Sequence, residues 1–584
     1  MRMFIEEISD LVKNAFEELG YDRESGRVSI SNRPDLCQYQ CNGALMNAKK
    51  YKKAPMIIAN EALKKLSNNK VFSKIEVVSP GFINININNE FVTEYINKMN
   101  NDSRFGVPKT TEIKKIIVDY GGANVAKPLH VGHLRPAIIG ESIKRMAKFL
   151  GHNVMGDVHL GDWGLQIGMV ISEVKRRNPE LPYFDESFIG EYPKEAPFSI
   201  DELEEIYPYA SKLAKSDKSA LEAAKQATVE LQKGKKGYIA LWKHILDVSV
   251  KDLKRNYQDL NVNFELWNGE SDAEKYIPEM IEMLKVNGYA KKSEGALIFE
   301  IEEESDKSPM PPLLLLKSDG GALYGTTDLA TVVERVRDMK ADEIIYLADK
   351  RQSLHYEQFF RAAKKSGIAK KDTILDYVGF GTMNGIDGKP FKTRDGGVMR
   401  LSNLLKIIKD ASKEKLVNNK NIDMEEIEEI SSKVGLAALK YGDLSNQAAK
   451  DYIFDIDRFI SFEGNTGPYI LYTIVRIKSI LKKAGFNLNN NILSPQRDSE
   501  LALMLQLVKF NEVVQVSFRD RAPHKICEYI YDLSNNFNKF YNDTKILTEK
   551  NQSKKDSWLT LINLVKSVLE QCLDLLGIQS VEKM

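Results

Sequence analysis

The amino-acid sequence predicts a multidomain α/β protein, in which a parallel-sheet domain lies between an α+β domain and an all-α helical bundle. Three observations support this prediction. Strand and helix patterns alternate from about residue 112 to 410, which is typical of a doubly wound parallel sheet. Strand patterns vanish after about residue 425. The 584 residues also suffice for three or four domains of ~150 residues each.

Residues 1–105 are predicted to form the α+β domain. Residues 1–20 mix acidic, basic and apolar positions as an amphipathic helix does, and they lack the layout of a signal peptide. A β-hairpin is predicted over 74–87, where β-branched residues alternate with charged ones around a Pro-Gly turn. The polar residues 100–106 are expected to link this domain to the next one.

Residues 106–415 are predicted to form the parallel-sheet domain. Its strand candidates are four short apolar runs, at 116–120, 154–159, 343–347 and 375–380. The stretch from about 171 to 293 is largely helical and charged. Because it is too long for a single crossover connection, we expect it to be an insertion.

Residues 416–584 are predicted to form the helical bundle. Apolar positions recur there at helical spacing in five segments, at 427–440, 469–484, 499–514, 527–540 and 558–576.

Composition narrows the class of protein. Apolar residues make up 43% of the chain and the formal net charge is +1, so charge argues neither for nor against a nucleic-acid partner. No run of 18 apolar residues is present, so we expect no membrane span and a cytoplasmic location. Cys37 and Cys41 lack a second ligand pair nearby, so we expect free thiols and no structural metal.

The segment 124–133, NVAKPLHVGH, carries the most chemistry. His130 and His133 lie between a strand candidate and a helix predicted over 134–151, where backbone N–H groups bind anions and imidazoles donate hydrogen bonds to phosphate. Because no GxxxxGK[ST] motif occurs, the pattern indicates a nucleotide site of another kind. A structural or metal-binding histidine pair is the alternative. Lys127 is either a point charge for phosphate or a solvated lysine.

Three further segments carry weaker signals, each with a structural alternative. The glycines of 161–168, GDWGLQIG, indicate close backbone approach or simply a turn. Residues 324–330, YGTTDLA, are expected to open a helix with Asp328 in its first turn, one turn from Tyr324. At that position the Asp328 carboxylate either binds a ligand or is simply stabilised by the helix dipole. The basic loop 388–397 either closes over phosphates or is an exposed turn.

Together, and in this order, these motifs resemble those of the class I aminoacyl-tRNA synthetases and, more narrowly, of the arginyl-tRNA synthetases. The segment DYGGANVAKPLHVGHLRPAIIGESI is similar to the first family signature, with its HxGH motif. The later segments that resemble family motifs are GDWGLQIG, LYGTTDLA, DKRQSLHYEQFF and GFGTMNGIDGKPFKTRDGGVMRL. Two segments resemble the helical anticodon-binding domain: FDIDRFISFEGNTGPYILYTIVRIKSI and RAPHKICEYIYDLSNNFNKFY. The resemblance covers nearly the whole chain.

The resemblance implies a Rossmann-like catalytic domain at 106–415, an anticodon-binding bundle, and an additional N-terminal domain that contacts the tRNA D-loop. It implies ATP-binding residues, which are Lys127, His130, Gly132 and His133. The catalytic residues it implies are Lys127, His130, His133, Lys392 and Arg394. The arginine-binding residues it implies are Asp119, Asn124, His130, Tyr324, Asp328 and Gln352. Its tRNA-binding residues are expected to be Gln38, Gln40, Asn42, Tyr472 and Arg476.

The implied substrates are L-arginine, tRNA(Arg) and ATP, which brings Mg²⁺ as part of the substrate complex. A guanidinium presents five fixed donors, so a carboxylate such as that of Asp328 suits it. We expect a monomer that needs bound tRNA before it activates arginine.

Two positions depart from the family pattern. In the KMSKS-like stretch 390–394, PFKTR, Thr393 replaces the second lysine, and Lys127 matches the position thought to compensate in the family. Residues 121–123 are Gly-Gly-Ala where the family often has Ser-Ser-Pro. A cysteinyl enzyme would need zinc-binding cysteines near the sheet. A non-catalytic paralogue would be expected to lack His130, His133 or Asp328, and all three are present.

Overall fold

The N-terminal region forms an antiparallel sheet covered by helices. The computed structural model describes residues 1–318, 320–389, 399–417, 423–486 and 490–584. The strands of this region are β1 (Val28–Ile30), β2 (Tyr39–Cys41), β3 (Phe72–Val78) and β4 (Phe82–Ile87), in the order β1-β2-β4-β3. The helices are α1 (Phe4–Glu18), α2 (Gly43–Tyr51), α3 (Pro55–Leu66) and α4 (Asn89–Asn100). The predicted amphipathic helix and β-hairpin are therefore confirmed.

The central region is built on a parallel sheet of four strands. These are β5 (Lys115–Asp119), β6 (Asn153–Asp157), β10 (Glu343–Asp349) and β11 (Ile374–Phe380), in the order β11-β10-β5-β6. All four predicted strands are confirmed. The two central strands, β5 and β10, are β-branched or aliphatic runs with buried middle residues, as parallel strands require, whereas the edge strand β11 is mostly half-buried.

The helices of this region either pack around the sheet or form the long insertion. They are α5 (Leu134–Phe149), α6 (Leu165–Arg177), α7 (Ile200–Ser216), α8 (Lys218–Gln232), α9 (Lys236–Asp259), α10 (Glu270–Ala273), α11 (Ile277–Val286), α12 (Tyr324–Val333), α13 (Ser353–Lys365) and α14 (Leu401–Leu416). The helix α5 follows the HxGH motif and is buried along almost its whole length, so it forms the centre of the molecule.

A small antiparallel sheet in this region escaped prediction. It consists of β7 (Ala290–Ser293), β8 (Ala296–Phe299) and β9 (Leu313–Leu316), and a further two-residue strand is β12 (Met383–Asn384). Each strand of the small sheet has only four residues, and Lys291 and Lys292 on β7 are exposed. Such short, partly charged strands carry no clear two-residue periodicity.

The C-terminal region is helical apart from β13 (Tyr452–Ile453), which pairs with β12. The expectation that no strand occurs beyond about residue 425 is wrong at this point. The helices are α15 (Ile427–Leu444), α16 (Ile456–Phe459), α17 (Gly467–Lys483), α18 (Asp498–Leu507), α19 (Phe510–Arg519), α20 (Pro523–Asp543) and α21 (Gln552–Leu575). The helix predicted over 499–514 is thus two helices.

Among the residues that the structure describes, one stretch, Asp498–Arg519, is long and apolar enough to cross a membrane by length and composition alone. Of its most apolar window, 56% is buried inside the fold, as in the core helices of other bundles.

Cys37, Cys41, Cys527 and Cys572 are free and buried, which confirms the expected reduced thiols.

Candidate active site

The described residues that are predicted to bind ATP and arginine lie at the end of β5, on the segments that follow β5 and β10, and on α12. The chain leaves β5 toward the HxGH motif and leaves β10 toward Gln352, and these two strands are neighbours in the sheet. Between them the order of strands across the sheet changes direction, because β6 lies beside β5 on one side whereas β10 and then β11 lie on the other. A crevice at such a switch point is where open α/β sheets bind ligands.

The two HxGH histidines are oriented by the backbone of their own turn. A single 3₁₀ turn, Val131–His133, leads directly into α5. The Gly132 N–H donates to Nδ1 of His130 at 3.0 Å, and the His130 N–H donates to Nδ1 of His133 at 3.1 Å. Because each neutral ring has Nδ1 occupied as an acceptor, each must carry its proton on Nε2. Both imidazoles therefore present an Nε2–H donor.

Electrostatics keep both rings neutral. Burial, together with a smaller contribution from the neighbouring His130, lowers the pKa of His133 to about 3. Burial also lowers the pKa of His130, with a smaller contribution from the charge of Lys127. At neutral pH the pair consequently acts through hydrogen bonds and not as cations. The ring centroids are 4.0 Å apart, so both rings can serve one ligand group.

Lys127 lies against the insertion. Its Nζ is 4.5 Å from the centre of the Tyr207 ring on α7, an arrangement typical of a cation–π contact. The preceding Ala126 has a positive φ of 58°, which turns the chain toward the histidines. Tyr207 was missed by the sequence analysis, because nothing in the local pattern connects it to Lys127.

The segment that follows the KMSKS-like loop is joined to the HxGH motif. The Val131 N–H donates to the Met399 carbonyl at 3.0 Å, and the Leu401 N–H donates to the Leu129 carbonyl at 2.9 Å. Arg400 forms an ion pair of 2.6 Å with Glu204 on α7. The predicted residues Lys392 and Arg394 lie outside the described residues.

Asn124 and Gly161 approach each other closely. They form a parallel bridge, and a Cβ atom on Gly161 would lie 2.2 Å from Oδ1 of Asn124. The predicted close approach at GDWG is thus confirmed at this glycine. Asp162 has a structural role, because its buried carboxylate accepts hydrogen bonds from the backbone and hydroxyl of Ser271 at 3.0 and 2.6 Å.

Tyr324 and Asp328 lie one turn apart on α12, as predicted, but the helix begins at Tyr324. Asp328 is therefore in the second turn, so the expectation that it lies in the first turn is wrong. Its carboxylate contacts Nε2 of His355 on α13 at 2.5 Å. Gln352 is exposed immediately before α13. His355 was missed, although it belongs to the quoted motif DKRQSLHYEQFF.

Asp119 is paired with a buried cation. Nη2 of Arg335 lies 2.7 Å from a carboxylate oxygen of Asp119 and 2.6 Å from one of Asp157. Ligand atoms of Asp119, Asp157 and His159 all lie within 4.8 Å of one another, the spacing of metal ligands. The guanidinium of Arg335 already neutralises part of this cluster. Neither Asp157 nor Arg335 was predicted to be a site residue.

The predicted tRNA-binding residues are far apart in the fold. Within the N-terminal sheet, the Ile87 N–H donates to Oε1 of Gln38, and Nε2 of Gln40 donates to Oδ1 of Asn84. Asn42 is exposed. On α17, Tyr472 is 45% exposed and Arg476 donates to Asn538 at 3.1 Å. Their assignment as tRNA contacts stays a prediction.

Comparison with protein families gives matches over nearly the whole chain. Residues 95–456 match the family described as tRNA synthetases class I (R), catalytic domain. Residues 470–584 match the DALR anticodon binding domain, and residues 6–87 match the arginyl tRNA synthetase N terminal domain.

Individual proteins show the same similarity. The arginine–tRNA ligase of Alkaliphilus oremlandii is 61% identical over 587 residues, and that of Agathobacter rectalis is 56% identical over 597 residues; both alignments cover 100% of each chain. The crystal structure of arginyl-tRNA synthetase from Plasmodium falciparum superimposes with a TM-score of 0.84 at 28% identity, covering 100% of both chains. The Thermus thermophilus arginyl-tRNA synthetase shares the fold, with a TM-score of 0.80 at 21% identity and the same full coverage of both chains.

Proposed function

The chain belongs to the class I arginyl-tRNA synthetases and is an arginine–tRNA ligase, and from this premise we propose how its site performs the reaction. The observation that carries the proposal is the pair of oriented Nε2–H donors on His130 and His133, beside the switch point of the sheet. Fixed donors at this point suit the phosphates of ATP.

In the first step, the carboxylate of arginine attacks the α-phosphorus of ATP. The bond between that phosphorus and the bridging oxygen breaks, and pyrophosphate leaves with its electron pair. Magnesium enters with ATP as part of the substrate. His130 and His133 donate hydrogen bonds to phosphate oxygens as negative charge shifts among them, so catalysis is mainly positioning and charge stabilisation. In the second step, a terminal ribose hydroxyl of the tRNA attacks the arginyl-adenylate, and AMP leaves.

Recognition of arginine is assigned to the carboxylates at the strand ends and on α12. The Asp328 carboxylate is held by His355 at 2.5 Å, so it is pre-oriented before a guanidinium arrives. Tyr324, on the same helix, is 76% exposed and free to contact substrate. Asp119, Asn124 and Gln352 supply further polar groups around the same crevice. A site of paired polar groups discriminates strongly against a ligand that leaves one of them unpaired.

Lys127 supplies the positive charge that Thr393 cannot. Its contact with Tyr207 keeps the ammonium near His130, whose pKa its charge lowers. In this proposal Lys392 and Arg394, which lie outside the described residues, add further positive charge for the phosphates of ATP. The N-terminal domain and the helical bundle contact tRNA(Arg), and the protein acts as a cytoplasmic monomer.

A first experiment tests the requirement for tRNA. We expect ATP–pyrophosphate exchange with arginine to proceed with cognate tRNA and to be absent without it. Full exchange in the absence of tRNA would refute this part of the proposal.

A second experiment tests the arginine pocket. Asp328→Asn removes the charge that faces the guanidinium, and a hydrogen bond to a charged group contributes about 1.5–3 kcal/mol. We expect the KM for arginine to rise by at most about 10²-fold, a factor that corresponds to about 2.7 kcal/mol. The KM for ATP serves as the internal control. Equal changes in both constants would contradict the assignment.

A further inference from the structure

We propose that Arg335 is a positioning residue for the arginine pocket, which holds Asp119 and Asp157 together and ties them to the helix that carries Tyr324 and Asp328. This inference rests on the proposed function, because it takes Asp119 to be part of that pocket. Arg335 lies in none of the motifs that resemble the family signatures.

The contacts of Arg335 span three neighbouring strands. Asp157 on β6, Asp119 on β5 and Tyr346 on β10 are direct neighbours in the register of the sheet. Nη2 of Arg335 binds both carboxylates, and its guanidinium lies 5.2 Å from the centre of the Tyr346 ring. Its side chain is 0% exposed. One buried group therefore contacts all three residues, Asp157, Asp119 and Tyr346, which form a row across the carboxyl end of the sheet.

The charges in this row do not cancel. Two carboxylates side by side repel each other, and burial raises the pKa of Asp119 while Arg335 opposes that rise. One guanidinium balances one of the two negative charges, so a surplus of one negative charge remains. The Asp157 side chain is 1% exposed and that of Asp119 is 15% exposed, so the surplus charge reaches the crevice through Asp119. A cationic substrate fits there.

Arg335 also connects two walls of the pocket mechanically. It lies in a π-helical turn, Glu334–Asp338, which directly continues α12. Such turns insert one residue into a helix and are frequent at functional sites. The turn directs Arg335 down onto β5 and β6, whereas Tyr324 and Asp328 lie at the start of the same helix. The ion pairs consequently set the separation between Asp328 and Asp119.

The test compares steady-state kinetics of full-length variants with arginine, ATP and tRNA. Arg335→Gln is expected to raise the KM for arginine at least 10-fold and to change the KM for ATP less than 3-fold, as order-of-magnitude effects of a lost charged hydrogen bond. Arg335→Lys, which keeps the charge, should restore part of the loss. It also carries the test if Arg335→Gln does not fold.

Two further variants separate charge from position. Asp157→Asn removes the surplus charge but keeps Arg335 bound to Asp119, so the KM for arginine should rise. Arg337→Gln is the matched control, because Arg337 belongs to the same turn but is 46% exposed and pairs with Glu279 and Asp338. Its kinetic constants should equal those of the wild type.

The outcomes distinguish this inference from the function on which it rests. If Asp119→Asn leaves the KM for arginine unchanged, the pocket assignment itself is wrong. If Asp119→Asn raises that constant but the Arg335 variants change neither KM, or change the two KM values equally, the role of Arg335 is overturned.

Discussion

Replacing Asp443 with asparagine should destabilise the protein by about 3–5 kcal/mol, because it leaves a buried guanidinium without a counter-charge. Asp443 on α15 forms an ion pair of 3.0 Å with Arg135, the second residue of α5, and their side chains are 0% and 2% exposed. Arg135 also donates to the carbonyls of Gly381 and Lys450 at 2.8 and 2.9 Å. The pair thus joins the HxGH helix to the helical bundle.

The magnitude follows from burial and distance. At 3.0 Å and an effective dielectric constant of about 20, two unit charges attract by about 5 kcal/mol. The pair is not a large net source of stability, since burial raises the pKa of Asp443 even beside Arg135. The cost of Asp443→Asn arises from the guanidinium that remains buried. A loss of 3–5 kcal/mol lowers the folded-to-unfolded ratio by roughly 150- to 5000-fold.

Urea unfolding followed by tryptophan fluorescence measures this loss. Asp35→Asn is the control, because Asp35 pairs with Arg33 at 2.7 Å but both side chains are more than half exposed. Water screens such a pair, so its loss should change the free energy of unfolding little. A double variant, Arg135→Met with Asp443→Leu, removes both charges and should lose less than the sum of the two single variants. If Asp443→Asn costs no more than Asp35→Asn, the reasoning from burial is wrong.

Two other predictions concern the HxGH and GDWG motifs. Gly161→Ala should displace Asn124 and raise the KM for arginine by about 10-fold or more. Gly164→Ala should leave this KM unchanged, because no atom lies within 4 Å of the new Cβ. Similar kinetics for both variants would contradict the close approach of Gly161 to Asn124. The pKa of His133 is about 3 in the folded protein and about 6.5 in the unfolded chain, so the unfolded chain binds a proton on this ring first as the pH falls. The folded state therefore loses stability between about pH 6.5 and the folded-state pKa. The free energy of unfolding of the wild type relative to His133→Asn should therefore fall by about 2 kcal/mol between pH 7 and pH 5, and a constant difference in urea unfolding would exclude this burial effect.

Local sequence patterns predicted most secondary structure of this protein. Each of the four parallel strands contains a short stretch of apolar residues, and this short-range pattern suffices to locate them. The break between α18 and α19 was missed, because Val508 and Phe510 continue the apolar pattern and neither residue 508 nor residue 509 is glycine or proline. The pairing of β12 with β13 was missed because two residues carry no periodicity.

The site divides in the same way. His130 and His133 could be predicted from residue type, spacing and the helix that follows, and the tautomer of each ring is set within four residues of the chain. Asn124, Tyr324, Asp328 and Gln352 were assigned through similarity of motifs, and their roles remain proposals. The family, the parallel strands and the motifs that carry the chemistry could therefore be inferred from the order of the amino acids.

The distant side chains that support those motifs are brought to them by the packing of strands and helices. Arg335 meets Asp119 across 216 residues of chain, and Arg400 reaches Glu204 on an insertion helix. Asp119 and Asp157 become neighbours because β5 and β6 pair in register, which no local pattern specifies. Periodicity reports the burial of a residue within its own helix or strand, whereas an ion pair between elements depends on the order in which the strands and helices pack.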